Sequence, residues 1–457
     1  MPTGKLGPLR RGALAALGAA GVLGGFGAPA ASAQQVMVAL RPRDPAAMAA
    51  LARAVSSPAS DEFRRYLNVA QFVARFGARP GALSAVARTL RAHGLRVQAP
   101  SANDLTILVD GRPADLARAF GTRLVHVRLR HGRSGLVATR HPRLDARVAP
   151  YVQAVLGLDT LGWATNDYAR APRASLRHAH RAVRALVPAS TGGPQPCHAA
   201  TSALRLGTWG PGWTANQVAA AYDFGPLYRA GDKGQGVTIA LYEQEPNLAS
   251  DVLAFQRCYG THAQVSYVRV GRGAGTGAGS GEAIGDIDQL ISFAPKARII
   301  VYQGAANTPG AADPLLSAIV SQDRASVISS SWGDCEPEEG RAAATVDENL
   351  LEEAAIQGQT FVVAAGDDGA EDCYAPGSDH NRAITVDSPG SSPWATSVGG
   401  TLLSALSPLT ETVWNNALSD SVGNSGITAG AGGGGISSFW PMPPYQSGAP
   451  AGLNVIN

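Results

Sequence analysis

The chain has 457 residues, of which 45% are hydrophobic and 16% are charged, and this composition is typical of a globular, soluble protein with two or three domains. Its net charge of +3 conceals a division: residues 34–200 hold 24 arginines, no lysine and 9 acidic residues, whereas residues 201–457 hold 11 basic and 26 acidic residues. The arginines are scattered instead of forming a stripe, which argues against a nucleic-acid partner. We expect the two halves to attract each other.

Residues 1–33 are typical of a secretory signal peptide. Lys5, Arg10 and Arg11 precede an apolar run, and Ala31-Ser32-Ala33 has the form of a signal-peptidase site. The run is too short and too rich in glycine for a transmembrane anchor, and no later segment has the apolar length to span a bilayer. We predict a secreted, extracellular protein with no membrane segment in its mature form.

Residues 34–161 alternate between strand-like and helical patterns. VMVAL predicts a strand, and PAAMAALARAV and PGALSAVARTLRAHG carry apolar residues at the i, i+3 and i+4 spacing of helices. LTILV, the helical DGRPADLARAF and the alternating TRLVHVRLR follow. This order predicts a compact α+β domain of the ferredoxin-like, split-βαβ kind.

Residues 162–206 lose this periodicity and are rich in alanine, arginine, proline, serine and glycine. We predict a linker that is exposed to proteolysis. A processing site and a plain spacer are equally good explanations of such a segment.

Residues 207–457 return to a regular pattern, in which short apolar strands alternate with helices. The strand-like runs are VSYVRVG, ARIIVYQG, SVISSSWG, TFVVAAGDDG and ITVDSPG. Near-continuous apolar strands separated by helices predict a parallel sheet covered on both faces. In such sheets, ligands and chemistry gather at the carboxyl ends of the strands.

The four cysteines of an exported chain are expected to form disulfides. Their spacings match no zinc site, and four cysteines allow three connectivities. We favour the pairs Cys335–Cys373 and Cys197–Cys258.

Glu282 and Asp286 are four residues apart, so a helix places both carboxyl groups on one face. On an exposed helix, a solvated acidic face is the commoner explanation of such a pair. Inside a cleft, the pair would share a proton and titrate in two coupled steps. One carboxyl group is then available as a base, and the other orients it.

Five motifs in order resemble the catalytic domain of the sedolisin family, the secreted serine-carboxyl peptidases. They are SSSWGDCEPE, FVVAAGDDG, SPWATSVGGT, ETVWNN and GGGGISSFWPMPPYQ, which follow the acidic pair. The first domain is similar to the family's kumamolisin-type activation pro-domain. The resemblance implies a subtilisin-like parallel sheet flanked by helices, a peptide or protein substrate, and a pro-domain that acts as intramolecular inhibitor and chaperone.

The resemblance also implies roles for single residues. Glu282 is expected to be the general base, Asp286 its orienting partner, and Asp367 the donor to the oxyanion. Asp288 falls where the family often carries another acidic or amide residue. Ser330, Ser331, Trp332 and Gly333 match the strand whose backbone pairs with an extended substrate. A carboxylate base with a pKa of about 4 suits acid conditions, in which histidine holds its proton.

The chain departs from the family pattern in two places. Asp368 stands where the family has serine, beside the expected oxyanion donor. The family's G-T-S-x-x-x-P nucleophile and its calcium loop are expected downstream of GGGGISSFWPMPPYQ, beyond Asn457. We therefore expect a truncated chain that is inactive as given and holds no metal of its own.

Three other interpretations remain open. The chain could be a non-catalytic, peptide-binding relative that has lost its serine. It could be a fragment of a histidine-dependent subtilase, although only His262 and His380 follow residue 200 and neither lies in an H-G-T-H setting. Nucleic-acid binding by the basic half ranks last, and would show a steep salt dependence.

Overall fold

The computed structural model describes residues 33–128, 134–160, 191–203, 206–207, 210–305, 314–374, 382–406, 408–415 and 430–448. The predicted signal peptide, apart from Ala33, most of the predicted linker, and His380 lie outside these ranges. From Ala33 onward, the described residues form one compact unit.

The N-terminal domain is built on a four-stranded antiparallel sheet in the order β2-β3-β1-β6. Its elements are β1 Gln34–Leu40, α1 Pro45–Ser56, α2 Val69–Phe76, α3 Ala82–Ala92, β2 Arg96–Pro100, β3 Thr106–Gly111, α4 Pro113–Ala119, β4 Leu124–Arg128, β5 Ser134–Ala138 and β6 Val152–Leu156. This strand order is that of the split βαβ motif. The ferredoxin-like prediction is thus confirmed.

Local signals explain where these helices begin. Asp44 accepts a hydrogen bond from the backbone of Ala47 at the start of α1, and Pro45 fills its first turn. Asn68 and Gln71 form a reciprocal capping box on α2. One expectation is corrected here: TRLVHVRLR does not enter the sheet, because β4 pairs with β5 in a separate hairpin.

The C-terminal domain is organised around a six-stranded parallel sheet in the order β10-β11-β9-β12-β14-β16. The predicted parallel sheet is therefore confirmed. Its elements are α5 His198–Ala203, β7 Leu206–Gly207, β8 Gly210–Pro211, α6 Ala215–Ala221, α7 Gly225–Ala230, β9 Thr238–Glu243, α8 Ala249–Tyr259, β10 Gln264–Arg269, α9 Glu282–Phe293, β11 Arg298–Gln303, α10 Pro314–Gln322, β12 Val327–Ser330, β13 Asp334–Cys335, α11 Glu336–Glu339, α12 Arg341–Gln357, β14 Thr360–Ala364, β15 Asp387–Ser388, β16 Ala395–Val398, β17 Thr401–Leu406 and β18 Leu409–Val413.

Both faces of β9 and β11 are buried, which explains why these strands are almost continuously apolar, whereas the edge strands β10 and β16 are more exposed. Along β9, Ala240 and Tyr242 pack with residues of α10 and α12, whereas Leu241 packs with residues of α8 and α9. The run ITVDSPG is a further correction. Only Asp387–Ser388 forms a strand there, and it pairs antiparallel with β13 outside the main sheet.

The sheet of the N-terminal domain packs against α10 and α12 of the C-terminal domain. Met37 and Leu156 belong to the same apolar cluster as Leu350 on α12. The hydroxyl groups of Thr106 and Ser317 lie 2.7 Å apart in this buried boundary. The N-terminal domain therefore docks through a packed, largely apolar surface.

Two disulfides join Cys197 to Cys258 and Cys335 to Cys373, the pairs that the sequence analysis favoured. In the part of the chain that the structure describes, no helix is long and apolar enough to cross a membrane.

Candidate active site

The candidate site lies where three neighbouring strands of the parallel sheet end. Glu243 is the last residue of β9, Ser330 is the last residue of β12, and Ala364 is the last residue of β14. β12 lies between β9 and β14, so the segments that follow these strands emerge side by side. The helix α9 follows β10, so it begins at the same edge.

Glu282 and Asp286 lie in the first two turns of α9, as the spacing of the sequence predicted. Ser331, directly after β12, donates a hydrogen bond of 2.8 Å from its hydroxyl to Oδ2 of Asp286. The structure therefore brings together the expected base, its expected partner and one of the predicted substrate-binding residues.

Burial changes the acidity of this pair. Burial, together with the negative charge of Asp286, raises the pKa of Glu282 to about 7, while a hydrogen bond from Ser331 acts in the opposite direction. Burial also raises the pKa of Asp286, against hydrogen bonding with Ser331, Glu243 and Glu282. The pKa of about 4 that we expected for the base is thus corrected upward, because the carboxyl group is desolvated and faces another acid.

A third carboxyl group extends the pair, and the sequence analysis missed it. Glu243 is 0% exposed, and its Oε2 accepts a hydrogen bond of 3.2 Å from Nε1 of Trp332. Burial and the charge of Asp286 raise its pKa well above the ordinary value. Its position at the carboxyl end of β9 was the signal that could have revealed it. We call Glu243, Glu282 and Asp286 the carboxyl cluster.

Asp288 does not belong to the carboxyl cluster. Residues two positions apart in a helix are rotated by about 200° around its axis. Asp286 and Asp288 therefore point to opposite sides of α9. Burial and the charge of Asp251, which lies on α8, raise the pKa of Asp288 to about 7. This residue therefore faces the packing between α8 and α9.

Asp367 lies in the tight loop after β14. Its backbone carbonyl accepts a hydrogen bond of 2.7 Å from the backbone of Ala431, and the carbonyl of Gly366 accepts one of 2.8 Å from Gly433. Asp368 forms a backbone bridge to Ala431. The glycine-rich segment near residue 431 thus fixes the loop that carries the expected oxyanion donor.

A second group of acids lies beneath this loop. Burial and the charges of Asp372 and Asp334 raise the pKa of Asp387 well above its ordinary value. A side chain at Gly333 would overlap the carboxyl group of Asp387, so glycine is required where the two segments meet. The side chains of Ser330 and Trp332 are buried, and Ser330 Oγ accepts a hydrogen bond of 3.2 Å from the backbone of Trp332.

The described residues show neither a metal site nor a histidine at this edge of the sheet. No group of three or more His, Cys, Asp or Glu among them could hold a metal ion. His262 is exposed and lies in the connection between α8 and β10. The calcium site that we expect beyond Asn457 stays a prediction.

Fold and site together define a subtilisin-like α/β protein with a carboxyl cluster at the end of its sheet and a ferredoxin-like domain before it. Comparisons with known proteins agree. Residues 26–161 match the family model "Pro-kumamolisin, activation domain", and residues 272–430 match the model "Subtilase family".

Three curated relatives are similar over most of the chain. Sedolisin of Pseudomonas sp. (strain 101) is 29% identical over 90% of this chain and 67% of its own length. Kumamolisin of Bacillus sp. (strain MN-32) is 29% identical over 84% of this chain and 64% of its own length. Tripeptidyl-peptidase 1 of Homo sapiens is 27% identical over 90% of this chain and 66% of its own length.

The chain is therefore similar to sedolisin and kumamolisin, and it combines a region matching the pro-kumamolisin activation domain with a region matching the subtilase family. It spans about two thirds of the length of sedolisin, kumamolisin and tripeptidyl-peptidase 1.

Proposed function

We propose that this protein is the precursor of a secreted serine-carboxyl endopeptidase that works in mildly acid solution. The observation that carries the proposal is the buried pair Glu282–Asp286, held by Ser331 at the carboxyl edge of a subtilase-type sheet. The similarity of the chain to proteins named sedolisin and kumamolisin supports peptide hydrolysis as the class of reaction.

In the proposed reaction, ionised Glu282 takes the proton of a serine hydroxyl as the serine oxygen attacks a peptide carbonyl. Glu282 then returns that proton to the leaving amine. Asp286 orients Glu282 and shares the proton. Asp367, when protonated, donates a hydrogen bond to the oxyanion, and such a donor contributes roughly 3 kcal/mol. The nucleophilic serine is not assigned among the described residues.

The coupled pair explains how a carboxyl group with a raised pKa serves in acid. Two interacting acids lose their protons in two steps. Between the steps, the pair holds one proton and one negative charge, and this form accepts a proton from serine. Because the upper step lies at about 7 for Glu282, the singly ionised pair is present in mildly acid solution.

The activation domain supports a precursor that is inhibited by its own N-terminal domain. We propose that this domain covers the substrate cleft and assists folding until it is removed. The mature peptidase takes a peptide or protein as substrate and acts outside the cell.

The test uses the complete coding sequence, expressed as the secreted precursor, and follows peptide hydrolysis from pH 3 to pH 8. Glu282→Gln should lower kcat/KM by about a thousandfold or more, because the amide cannot accept the serine proton. Asp288→Asn is the matched control, since it changes an acid on the opposite side of the same helix and should leave kcat/KM within about threefold.

The outcomes separate the rival functions. Undiminished hydrolysis in Glu282→Gln would exclude the proposed mechanism. Absence of hydrolysis in the wild-type protein, with a peptide still bound, would favour the non-catalytic relative. Activity lost on protonation of a group with a pKa of about 6.5 and insensitive to Glu282→Gln would favour the histidine-dependent subtilase.

A further inference from the structure

A fourth acid, Glu245, binds the first turn of α9 from outside the helix. Its Oε1 accepts hydrogen bonds from the backbone of Gly281, at 3.0 Å, and of Ala283, at 3.2 Å. Its Oε2 accepts one of 2.6 Å from the backbone of Ser280. Three backbone N–H groups around Glu282 are therefore bound by one carboxylate that lies 35 to 38 residues away in the chain.

The residue directly before the helix provides no side-chain cap, and the hydroxyl of Ser280 makes only a long contact of 3.5 Å with the backbone of Glu282. A helix leaves its first four N–H groups without partners inside the helix, and the residue before the helix commonly satisfies one of them with its side chain. In α9 that residue is Gly281, which has no side chain. Glu245 supplies the missing acceptor and places a negative charge at the positive end of the helix dipole.

The chain around Glu245 is shaped for this contact. Gln303, at the end of β11, donates a hydrogen bond of 3.3 Å to the backbone carbonyl of Glu245. Gly279 adopts a φ of +63°, and a side chain there would overlap the carboxyl group of Glu245 and the carbonyl of Pro246. Glu245 itself is 9% exposed. Both partners of the contact are therefore held in place.

We propose that Glu245 is a positioning residue of the candidate site, whose carboxylate holds the first turn of α9 and thereby fixes where Glu282 presents its carboxyl group. The proposal rests on the proposed function of Glu282 as the base. It assigns to Glu245 no contact with substrate or with the reacting atoms.

The charge of Glu245 has a second consequence. Around Glu282 lie Asp286 on the same helix, Glu243 and Glu245 at the end of β9, and the hydroxyl of Ser331 after β12. The negative charge of Glu245 raises the pKa of both Glu282 and Asp286, after the larger effect of burial. Although burial raises the pKa of Glu245, hydrogen bonds from the three backbone N–H groups and from the side chain of Ser280 lower it overall. It therefore remains ionised while the carboxyl cluster titrates.

The experiment compares Glu245→Gln with Glu245→Ala in the complete precursor, with Glu338→Gln on α11 as the matched control. Amide hydrogen exchange of residues 280–285 reports whether the first turn of α9 is held in place. The acid limb of the pH profile of kcat/KM reports how the charge of Glu245 affects the pKa of the carboxyl pair. Glu245→Gln keeps an accepting oxygen but loses the charge, so the acid limb should move to lower pH by about half a unit. Glu245→Ala should show the same shift, faster exchange by about tenfold at residues 281–283, and a kcat/KM lower by about tenfold.

Failure of this inference can be told apart from failure of the proposed function. If Glu282→Gln abolishes activity but neither Glu245 variant changes the exchange rates or the acid limb, Glu245 does not position the base. If Glu282→Gln leaves activity intact, the proposed function fails, and faster exchange in Glu245→Ala would then show a cap with no role in catalysis. A loss of kcat/KM with no change in exchange or in the acid limb would also overturn the inference.

Discussion

Ser331 shows how one hydroxyl group influences two acids. Its Oγ lies 2.8 Å from Oδ2 of Asp286, and hydrogen bonding with this hydroxyl lowers the pKa of both Glu282 and Asp286. The i, i+4 spacing was sufficient to predict that Glu282 and Asp286 face each other. The contact with Ser331 could not be predicted, because it depends on which strand lies beside β9 in the sheet. The same is true of Glu243 and Trp332, which meet across β9 and β12.

At this scale we predict the effect of removing that hydroxyl. Ser331→Ala should raise the pKa of Glu282 from about 7 by about one unit, because a hydrogen bond that favours the ionised form is lost. Ser331→Thr keeps a hydroxyl group and should leave the pKa near the wild-type value. Carbon-13 NMR of labelled glutamate, followed over pH, measures both. An unchanged pKa in Ser331→Ala would show that the hydrogen bond does not act on the base.

At the scale of the elements, sequence patterns predicted the type of most strands and helices but not their partners. The buried strands of the parallel sheet were predicted because both of their faces are apolar. TRLVHVRLR alternates as a strand does, yet it forms the hairpin β4–β5, and the sheet is completed by β6 instead. In ITVDSPG, Asp387 and Ser388 are taken out of the parallel sheet by pairing with β13. Pairing of this kind depends on contacts between distant segments, which local periodicity does not contain.

The capping of α9 also depends on a contact between segments that are distant in the sequence. The four-residue spacing of Glu282 and Asp286 indicated a helix, but the carboxylate that binds its first turn belongs to a glutamate that follows β9. The residue at the usual capping position is Gly281, which has no side chain, and Ser280 makes only a contact of 3.5 Å with the backbone of Glu282. The residue that holds Glu282 in place is therefore visible only when β9 and α9 are brought together by the fold.

At the scale of the whole molecule, the two halves of opposite net charge are held together chiefly by buried apolar contacts and hydrogen bonds. Among the described residues, Arg272 and Asp110 form an ion pair of 3.6 Å across the boundary. Much of the remaining contact is apolar packing and hydrogen bonding, such as that of 2.6 Å from Asn103 to the buried carboxyl group of Glu353 on α12. An attraction between opposite net charges would weaken in acid, because the carboxylates become protonated. The buried carboxyl group predicts the opposite response between pH 5 and pH 8.

Burial raises the pKa of Glu353 to about 8 from an ordinary value of 4.5, aided by the charge of Asp323 and opposed by hydrogen bonds from Asn103 and Gln357. A raised pKa means that the folded precursor binds the proton more tightly than the unfolded chain. The resulting stabilisation is complete below about 4.5 and is lost as the pH rises through about 8.

We therefore predict that the melting temperature of the precursor falls between pH 5 and pH 8. The glutamine side chain in Glu353→Gln does not titrate, so this variant should show a fall in melting temperature that is smaller by about 2–4 °C. Glu62→Gln, an exposed acid, is the control and should leave the fall unchanged. Differential scanning calorimetry at the two pH values decides the matter. A melting temperature that rises with pH equally in all three proteins would support release of the N-terminal domain by acid through net charge instead.

The most direct test of the account is the titration of Glu282 itself, measured by carbon-13 NMR in the wild-type chain and in Asp286→Asn. We predict two coupled steps in the wild type, with the upper step at about 7. In Asp286→Asn we predict a single step at lower pH, because the neighbouring negative charge is gone. A single step close to the ordinary value of 4.5, unchanged by Asp286→Asn, would contradict the claim that these two carboxyl groups share a proton.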